Sequence, residues 1–266
     1  MSPQDLPTLT GESAATTRSL ARAFQIMRVL ALGQEHGMRL IDVVRHTGLS
    51  RPTVHRLLRA LADEHAVEQD PATRRYRVGA EISMLALARP SRLPLRKLAE
   101  PHLQVLSDTL GDTAFITVRH GRDSVCLDRQ LGSFPIKVMS IDVGTRRPLG
   151  VGVAGVVLLC AMADSEIDEL LEMDHARLQA CHLTAPEIKA RVSAARAQGF
   201  VYAEQGVTHG TAALSVPVLG PSGEIVAALS VAAVASNLPP GKVAHTAAVL
   251  AGQAALISKR LSALGV

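Results

Sequence analysis

Aromatic residues and cysteines are scarce in this chain of 266 residues. It has no tryptophan, two tyrosines and four phenylalanines, which disfavours a binder of RNA or single-stranded DNA, because such proteins stack bases on aromatic side chains. Its three cysteines, Cys126, Cys160 and Cys181, are too few and too far apart for a disulfide framework or a zinc ribbon. We therefore expect reduced, structural thiols, with no metal and no cofactor.

Long apolar runs are also missing. The longest, from Gly150 to Ala163, is shorter than the ~18 residues that indicate a membrane span, so we interpret it as a buried helix. No basic-then-apolar signal peptide opens the sequence. With 47% hydrophobic and 20% charged residues, the composition is that of a folded protein. We expect a cytoplasmic protein without a membrane partner.

Lysine is absent from residues 1–90, which contain twelve arginines and nine acidic residues. Between Arg39 and Arg59 there are five arginines and a single acid, Asp42. This local excess of positive charge suits contact with a polyanion such as DNA. Basic residues are common on any exposed helix, so charge alone favours DNA binding only weakly.

Apolar periodicity predicts three helices near the start of the chain, over residues 20–33 and 40–46 and from Ser50 onward. The Ser50 hydroxyl is suited to cap the third helix, and Pro52 is tolerated in its first turn. A turn at residues 70–73 then joins two short extended segments. Three helices followed by a basic hairpin predict a winged helix-turn-helix.

The third helix has a predicted inner stripe from Val54 to Leu61 and a polar outer face. A major groove is ~12 Å wide and accepts one α-helix whose donors reach base edges and phosphates. Arginines of the hairpin are placed to contact the backbone or the minor groove. The alternative is a solvated, arginine-rich face on a small helical bundle. The predicted DNA-binding residues are Ser50, Arg51, Thr53, His55, Arg56, Arg59, Arg74, Arg75 and Arg77.

The remainder of the chain alternates between strands and helices. We predict strands over residues 114–119, 124–129, 136–140, 212–219 and 224–233, and helices over residues 80–88, 95–110, 153–163, 165–173, 186–198 and 242–264. The segment "RPSRLP" after the first of these helices marks a domain boundary. This pattern predicts an α+β domain with one antiparallel sheet.

Six stretches resemble, in order and spacing, the IclR family of bacterial transcriptional regulators over roughly residues 18–264. They are "SLARAFQIMRVLA", "TGLSRPTVHRLLRAL", "DPATRRYRVG", "VGTRRPLG", "GFVYAEQGVTHGTAALSVPV" and "GEIVAALSVAAVASNL". The resemblance implies a dimer, or a dimer of dimers, that binds a palindromic operator of double-stranded DNA near catabolic genes and responds to a small organic acid. It also implies a winged helix-turn-helix domain (18–80), a linker helix (81–96) and a GAF-like, profilin-like effector-binding and oligomerisation domain (97–266). Residues 1–17 are rich in Ser, Thr, Pro and Gly without apolar periodicity, so we predict a disordered tail (1–17).

The resemblance also implies an effector pocket. In the family, the segment corresponding to Gly150, Val151 and Gly152 lines that pocket, and this chain has Gly150 where the family commonly has histidine. Positions that usually hold small polar residues fall on Ala203, Ala213 and Ala232, and Ser230 alone matches the family. A pocket with so few polar groups would pair a small dicarboxylate or keto acid poorly. We expect a larger, more apolar effector such as an aromatic acid, or else a pocket that has lost its ligand.

Other motifs have weaker support. The sequence "GVGVAG" matches a dinucleotide pattern but lacks a βαβ context. His175, Cys181 and His182 do not share a helical face as metal ligands would, so we predict a surface loop there. A hydrolytic triad of His209, Ser215 and Asp128 lacks a G-x-S-x-G elbow. The alternative function is an enzyme or small-molecule-binding protein that uses the C-terminal pocket without regulating DNA; we predict no catalytic residues.

Overall fold

The structure, a computed structural model, describes residues 14–33, 36–87, 95–139 and 141–264. Its internal contacts divide the chain into two compact units, residues 1–90 and 91–266. The predicted boundary "RPSRLP" and most of the predicted tail lie outside the described residues. None of the helices within these ranges has the length and apolar content that a membrane crossing requires.

The described part of the first unit is a winged helix-turn-helix. Its helices are α1 (Ala14–Leu32), α2 (Leu40–Thr47), α3 (Arg51–Asp63) and α4 (Ala80–Leu87), and its strands are β1 (Val67–Gln69) and β2 (Tyr76–Val78). The strands are antiparallel, and Met38 adds an isolated bridge to Tyr76. Helix α1 begins inside the predicted tail (1–17), because alanine-rich sequence before Arg18 extends the helix towards the N-terminus.

The core of this unit forms where the apolar stripes of its three first helices meet the hairpin. Ile26, Val43, Val54 and Leu58 are fully buried, and Tyr76 of β2 closes the cluster. The inner face of α3 is therefore fixed by packing, as its periodicity predicts. Because that face is buried, the polar residues of α3 have to point outward.

Helix α4 differs from the other helices of the first unit in having no buried residue. Its side chains Met84, Leu85 and Leu87 are 61%, 60% and 79% exposed. The predicted linker helix (81–96) spans α4, the residues 88–94 outside the described ranges, and the start of the next helix. The described part of this helix presents a strongly apolar surface.

The second unit contains one six-stranded sheet. Its strands are β3 (Thr113–His120), β4 (Asp123–Gln130), β5 (Arg146–Pro148), β6 (Val201–Ala203), β7 (Thr211–Leu219) and β8 (Ile225–Val234). The spatial order is β5-β4-β3-β8-β7-β6, and every neighbouring pair is antiparallel. The predicted α+β class with one antiparallel sheet is confirmed.

Helices cover both faces of this sheet. They are α5 (Leu95–Leu110), α6 (Gly152–Leu159), α7 (Asp164–Met173), α8 (His175–Gln179), α9 (Ala185–Gln198) and α10 (Val243–Ala263). Helices α5 and α10 pack on one face, around Leu214, Leu229 and Val231. Helix α6 is buried between the other face and α9, as the predicted buried helix requires.

Three predicted elements of the second unit differ from the structure. Residues 136–139 are irregular rather than a strand, because the edge of β4 is occupied by β5 and by the hydrogen bond from the Cys126 amide to the Thr145 carbonyl (3.0 Å). Helix α6 ends at Leu159, before a turn whose Ala163 amide is bound by the Glu166 carboxylate (2.9 Å). The predicted loop at residues 174–182 contains α8, and β6 was not predicted from the sequence.

Candidate nucleic-acid interface and ligand cavity

A glycine turn presents α3 at the surface of the first unit. Helix α2 ends at Gly48, whose φ of 67° lies in the left-handed region that glycine adopts without strain. The Gly48 amide binds the Val44 carbonyl (3.0 Å), and Gln25 of α1 donates to the Thr47 carbonyl (3.0 Å). These bonds fix where α3 starts relative to α1 and α2.

The outer face of α3 consists of basic and hydroxyl side chains. Arg51, His55, Arg56 and Arg59 are exposed, and Thr53 is half-buried. Among the described residues, the ion pairs include neither Arg51, Arg56 nor Arg59. The structure therefore brings the predicted residues of α3 onto one solvent-facing surface with uncompensated positive charge.

Ser50 precedes α3 but does not cap it through its side chain. Its hydroxyl is hydrogen-bonded to the Thr53 hydroxyl (2.9 Å) rather than to a backbone amide, and its carbonyl accepts from the Val54 amide (3.0 Å). The predicted side-chain cap is therefore wrong, because the two hydroxyls bind each other. Both remain at the positive end of the helix dipole, where a phosphate would bind.

The wing is shaped by Asp70. Its carboxylate accepts from the backbone amides of Ala72 (3.0 Å) and Thr73 (2.7 Å), which forms the predicted turn. The hydrogen bond from the Thr73 amide is the main cause that lowers the pKa of Asp70. Arg74 at the tip is exposed with a φ of 58°, whereas Arg75 donates from Nη1 to the Gly37 carbonyl (3.0 Å).

Arg77 completes the basic side of the wing. It lies opposite Glu68 in the β1–β2 register and is half-buried. Together with His36, Asp70, Thr73 and Arg75 it lines a surface cleft beside the hairpin. The three predicted wing arginines therefore differ in exposure. Arg74 projects into solvent, while Arg75 and Arg77 are half-buried against the unit.

A cavity of about 760 Å³ lies in the second unit, over the part of the sheet that α6 leaves uncovered. Its volume is within the range of ~300–1,000 Å³ that is typical of small-molecule sites. Strands β3, β4, β7 and β8 form its floor, and the α8–α9 connection and residues 205–209 form its sides. Its apolar lining includes Phe115, Val138, Ile141, Val153, Val207 and Leu183.

The Arg and His side chains that line this cavity give it a basic character. Arg147 of β5, Arg191 of α9, His182 and His209 line it, and its described lining contains no aspartate or glutamate. Burial lowers the pKa of Arg147 and that of Arg191, because it penalises their charged form. An anion in the cavity would offset the cost of burying these charges.

The start of α6 opens into the cavity beside Arg147. Gly152, the first residue of α6, has a φ of +71°, and a Cβ built on it would lie 3.9 Å from Arg147 Nη1 and 3.3 Å from Val207 Cγ2. Val151 precedes the helix without a side-chain cap. The helix dipole and the guanidinium thus act on the same part of the cavity.

The structure places five of the seven predicted effector-binding residues on the cavity wall, namely Val151, Gly152, Ala203, Ala213 and Ala232. The other two lie elsewhere. Gly150 is buried, and a Cβ on it would contact Ile188 at 2.9 Å. Ser230 is fully buried and donates to the Ser215 hydroxyl (2.8 Å). Both belong to the packing beneath α6 rather than to the cavity lining.

The expectation of a pocket with few polar groups is also wrong. It rests on family positions in α6, β6, β7 and β8, and it misses side chains that other segments contribute. Arg147 comes from a short edge strand, Arg191 from the helix after α8, and Cys181 and His182 from the segment interpreted as a surface loop. The arginine in "TRRPL", next to the glycine-rich helix start, was the available sequence clue for Arg147.

A buried ion network holds α8 at the edge of the cavity. The Asp174 side chain is completely buried and pairs with Arg122 (2.8 Å) and Arg177 (2.9 Å). Arg177 also pairs with Asp123 (2.6 Å) in the β3–β4 hairpin. Residues 180–183, which follow α8, line the cavity, so this network fixes one of its walls.

The structure does not assemble the alternative catalytic and metal sites. Ser215 is buried against Ser230, and Asp128 pairs with Arg96 (3.2 Å), so neither is available to His209. Burial raises the pKa of the Cys126 thiol to about 12, which keeps it protonated at neutral pH. Among the described residues, no group of three or more His, Cys, Asp or Glu side chains is arranged to hold a metal ion.

Comparison with known proteins matches both units. Residues 19–71 match the IclR helix-turn-helix domain, and residues 88–259 match the bacterial transcriptional regulator IclR C-terminal domain. The glycerol operon regulatory protein of Streptomyces griseus is 30% identical over 253 residues, which cover 94% of this chain and 98% of that protein. The Pca regulon regulatory protein of Pseudomonas putida is 27% identical over 215 residues, covering 80% and 73%.

Solved structures agree with the fold. A crystal structure of an IclR homolog from Microbacterium hydrocarbonoxydans, complexed with 4-hydroxybenzoate, superposes with a TM-score of 0.71. The superposition covers 92% of this chain and 99% of the Microbacterium chain. The two sequences are 22% identical, so the similarity supports the fold alone. With both family domains matched in order along one chain, this protein belongs to the IclR family of bacterial transcriptional regulators and is a DNA-binding regulator, not an enzyme.

Proposed function

We propose that this regulator binds a palindromic operator as a homo-oligomer and that a small organic acid in the cavity controls this binding. The observation that carries the DNA part is the outer face of α3, where Arg51, Arg56 and Arg59 are exposed without intramolecular ion pairs among the described residues. Such a face has donors for base edges and phosphates, and its buried back holds the helix in place.

Each proposed contact follows from where its side chain lies. Arg51, Thr53, His55, Arg56 and Arg59 would enter the major groove, with Ser50 at the first phosphate. Arg74 at the exposed tip would reach the backbone or the minor groove, and Arg75 and Arg77 would supply further positive charge beside it. Because operators lie on the chromosome, we place the protein in the cytoplasm.

The apolar surface of α4 supports the oligomer. A helix with no buried residue and with Met84, Leu85 and Leu87 largely exposed is suited to pack against a second copy. A two-fold symmetric dimer presents two α3 helices related by that symmetry, and such a pair fits a palindromic site. The dimer or a dimer of dimers would both satisfy this requirement.

The cavity supports an organic acid as effector. Its apolar walls suit a hydrocarbon skeleton, and Arg147 beside the start of α6 suits a carboxylate. An aromatic acid fits this combination, and 4-hydroxybenzoate is the ligand in the Microbacterium structure. Two relatives are named as regulators of the glycerol operon and the Pca regulon, and we propose by analogy that this chain controls a catabolic operon.

The test begins with a duplex that the protein itself selects from random-sequence DNA. Arg56→Ala should weaken binding to that duplex by ~1–3 kcal/mol if Arg56 grips a base. Arg119→Ala is the matched control, because Arg119 is an exposed arginine of the second unit and its loss removes the same charge. Equal affinities of both variants and the unmodified protein in a gel-shift titration would remove Arg56 from the interface.

A further inference from the structure

We infer that the cavity of the second unit selects a ligand with two acidic groups, one bound by Arg147 at the start of α6 and the other by Arg191 on α9. This inference rests on the proposed function, because it names the chemical class of the effector. It differs from the sequence-based expectation, which took the pocket to be too apolar for a dicarboxylate.

Basic side chains outnumber acidic ones on the wall of the cavity. Two arginines and two histidines line it, and the described lining contains no acidic residue. A buried guanidinium is costly unless an anion and hydrogen bonds compensate it. A ligand with two carboxylates offers an anion to each of the two arginines, whereas a ligand with one carboxylate offers an anion to only one of them.

The two arginines are contributed by different elements of the second unit. Arg147 comes from the edge strand β5, and its Nη1 lies near the backbone at Gly152. Arg191 comes from the middle of α9, one turn after Ile188, which packs against Gly150. Two guanidinium groups supplied by separate elements can bind two acidic groups separated by a spacer.

The surroundings of Arg191 support a ligand partner. The charge of Glu187 raises the pKa of Arg191, but the Glu187 carboxylate accepts hydrogen bonds from the Thr184 amide (2.8 Å) and hydroxyl (2.7 Å). Glu187 is thereby held at the N-terminus of α9. No ion pair of Arg191 occurs with any residue that the structure describes.

The size and walls of the cavity define the spacer. A volume of about 760 Å³ exceeds what a two-carbon diacid would fill. The apolar lining from Phe115, Val138 and Ile141 favours a hydrocarbon spacer over a hydroxylated one. A benzene ring or a chain of about four methylene groups between two carboxylates meets these requirements.

The experiment compares matched acids that differ only in the second carboxylate. Calorimetry on the full chain would use benzoate against benzene-1,4-dicarboxylate and pentanoate against hexanedioate. In at least one pair the diacid should bind about tenfold more tightly or better, as a second charge-assisted pair predicts. Equal or tighter binding of the monoacid in both pairs would overturn the inference.

Variants assign the two acidic groups. Arg191→Gln should remove the preference for the diacid and leave monoacid affinity within about threefold, while Arg147→Gln should weaken both acids. Arg196→Gln is the control on α9, because Arg196 pairs with Asp164 at the surface (2.6 Å) and does not line the cavity. Circular dichroism would establish that each variant is folded, and the acid pairs test the unmodified chain without any variant.

The outcomes separate this inference from the proposed function. Monoacid binding without a diacid preference overturns the two-arginine inference and leaves an organic-acid effector in place. Absence of binding by all four acids overturns both the inference and the proposed effector class. Unchanged diacid preference in Arg191→Gln also contradicts the inference, since Arg191 would then play no part in selection.

Discussion

Arginines serve two surfaces of this molecule in opposite ways. On α3 and at the wing tip they project into solvent from a packed helix or hairpin, as Arg56 and Arg74 do. In the cavity, Arg147 and Arg191 are partly buried, and that burial lowers their pKa. The same side chain therefore meets water in one unit and a low-dielectric wall in the other.

This difference changes what each surface can discriminate. Exposed arginines keep their hydration and many rotamers, so they attract any polyanion and gain specificity only from bidentate contacts with bases. Buried arginines have already lost much of their hydration, so an anionic group of a ligand gains more beside them than beside an exposed arginine. We expect binding on α3 to respond mainly to ionic strength, and binding in the cavity mainly to ligand chemistry.

The salt response should separate the two surfaces most widely. Between 50 and 200 mM salt, operator affinity should fall about a thousandfold or more, because a protein with six to ten phosphate contacts releases that many counterions. Ligand affinity in the cavity should fall less than about tenfold, because buried pairs are screened less. Gel-shift and calorimetric titrations over the same salt series would measure both. Similar slopes for DNA and ligand would contradict this contrast.

The next largest expected effect is the loss of stability on truncating a residue of the buried face of α3. Leu58→Ala should lower the free energy of unfolding of the first unit by about 3 kcal/mol, because Leu58 is fully buried and its loss leaves a cavity. Arg59→Ala, on the exposed side of the same helix, should change this free energy by less than about 0.5 kcal/mol. Urea denaturation would measure both. Equal losses would mean that the front of α3 also stabilises the fold.

The ion network at the cavity edge tests whether buried arginine pairs are stabilising here. Arg177→Ala should lower the free energy of unfolding by about 2 kcal/mol, because it leaves the buried Asp174 with Arg122 alone. We expect less than the ~3–5 kcal/mol of a fully buried pair because Arg177 is 43% exposed.

Lys189→Ala is the control for that network. Its pair with Asp168 (2.7 Å) is about half-exposed on both sides, so its loss should lower the free energy of unfolding far less than the loss of Arg177 does. Denaturation curves of the two variants would be compared at the same ionic strength. A larger loss from Lys189→Ala than from Arg177→Ala would reverse the expected order.

The smallest expected effect concerns the start of α6. Gly152→Ala should lower the free energy of unfolding by about 1 kcal/mol, since its φ of +71° disfavours a side chain, and should weaken benzoate binding about threefold. Gly121→Ala has a similar φ of +63° with open space around it, so it should show the stability loss without the binding loss. Equal benzoate affinities in both variants would exclude the helix start from the carboxylate site.

The sequence predicts the DNA-binding face of α3 better than it predicts the lining of the cavity, and the reason is physical. The face of α3 follows from the helical period of Val54, Leu57 and Leu58, and a period is a local property of the chain. The cavity depends on which edge strand, helix and loop meet, and no local pattern encodes that meeting. Arg191 lies in α9, whose local sequence does not distinguish a face towards the cavity, and only the tertiary structure places this side chain on the cavity wall.

Edge strands are likewise poorly predicted from local sequence patterns. The alternation at residues 136–139 resembles a strand, but a short segment ten residues later pairs with β4 instead. Long strands such as β7 and β8 agree with their prediction to within one residue at each end, because their mostly apolar sequences extend over nine and ten residues. Ser230 on β8 was assigned to the pocket from the family position, although the prediction of the strand itself is correct.

The hydroxyl pair at the start of α3 has a consequence for hydrogen exchange. Because the Ser50 and Thr53 hydroxyls bind each other, the first amides of α3 receive no side-chain cap, and Pro52 has no amide to protect. The Arg51 and Thr53 amides should therefore exchange rapidly in the free protein and slowly once a phosphate occupies the helix start. Deuterium uptake at these two positions would report operator engagement independently of any effect on affinity.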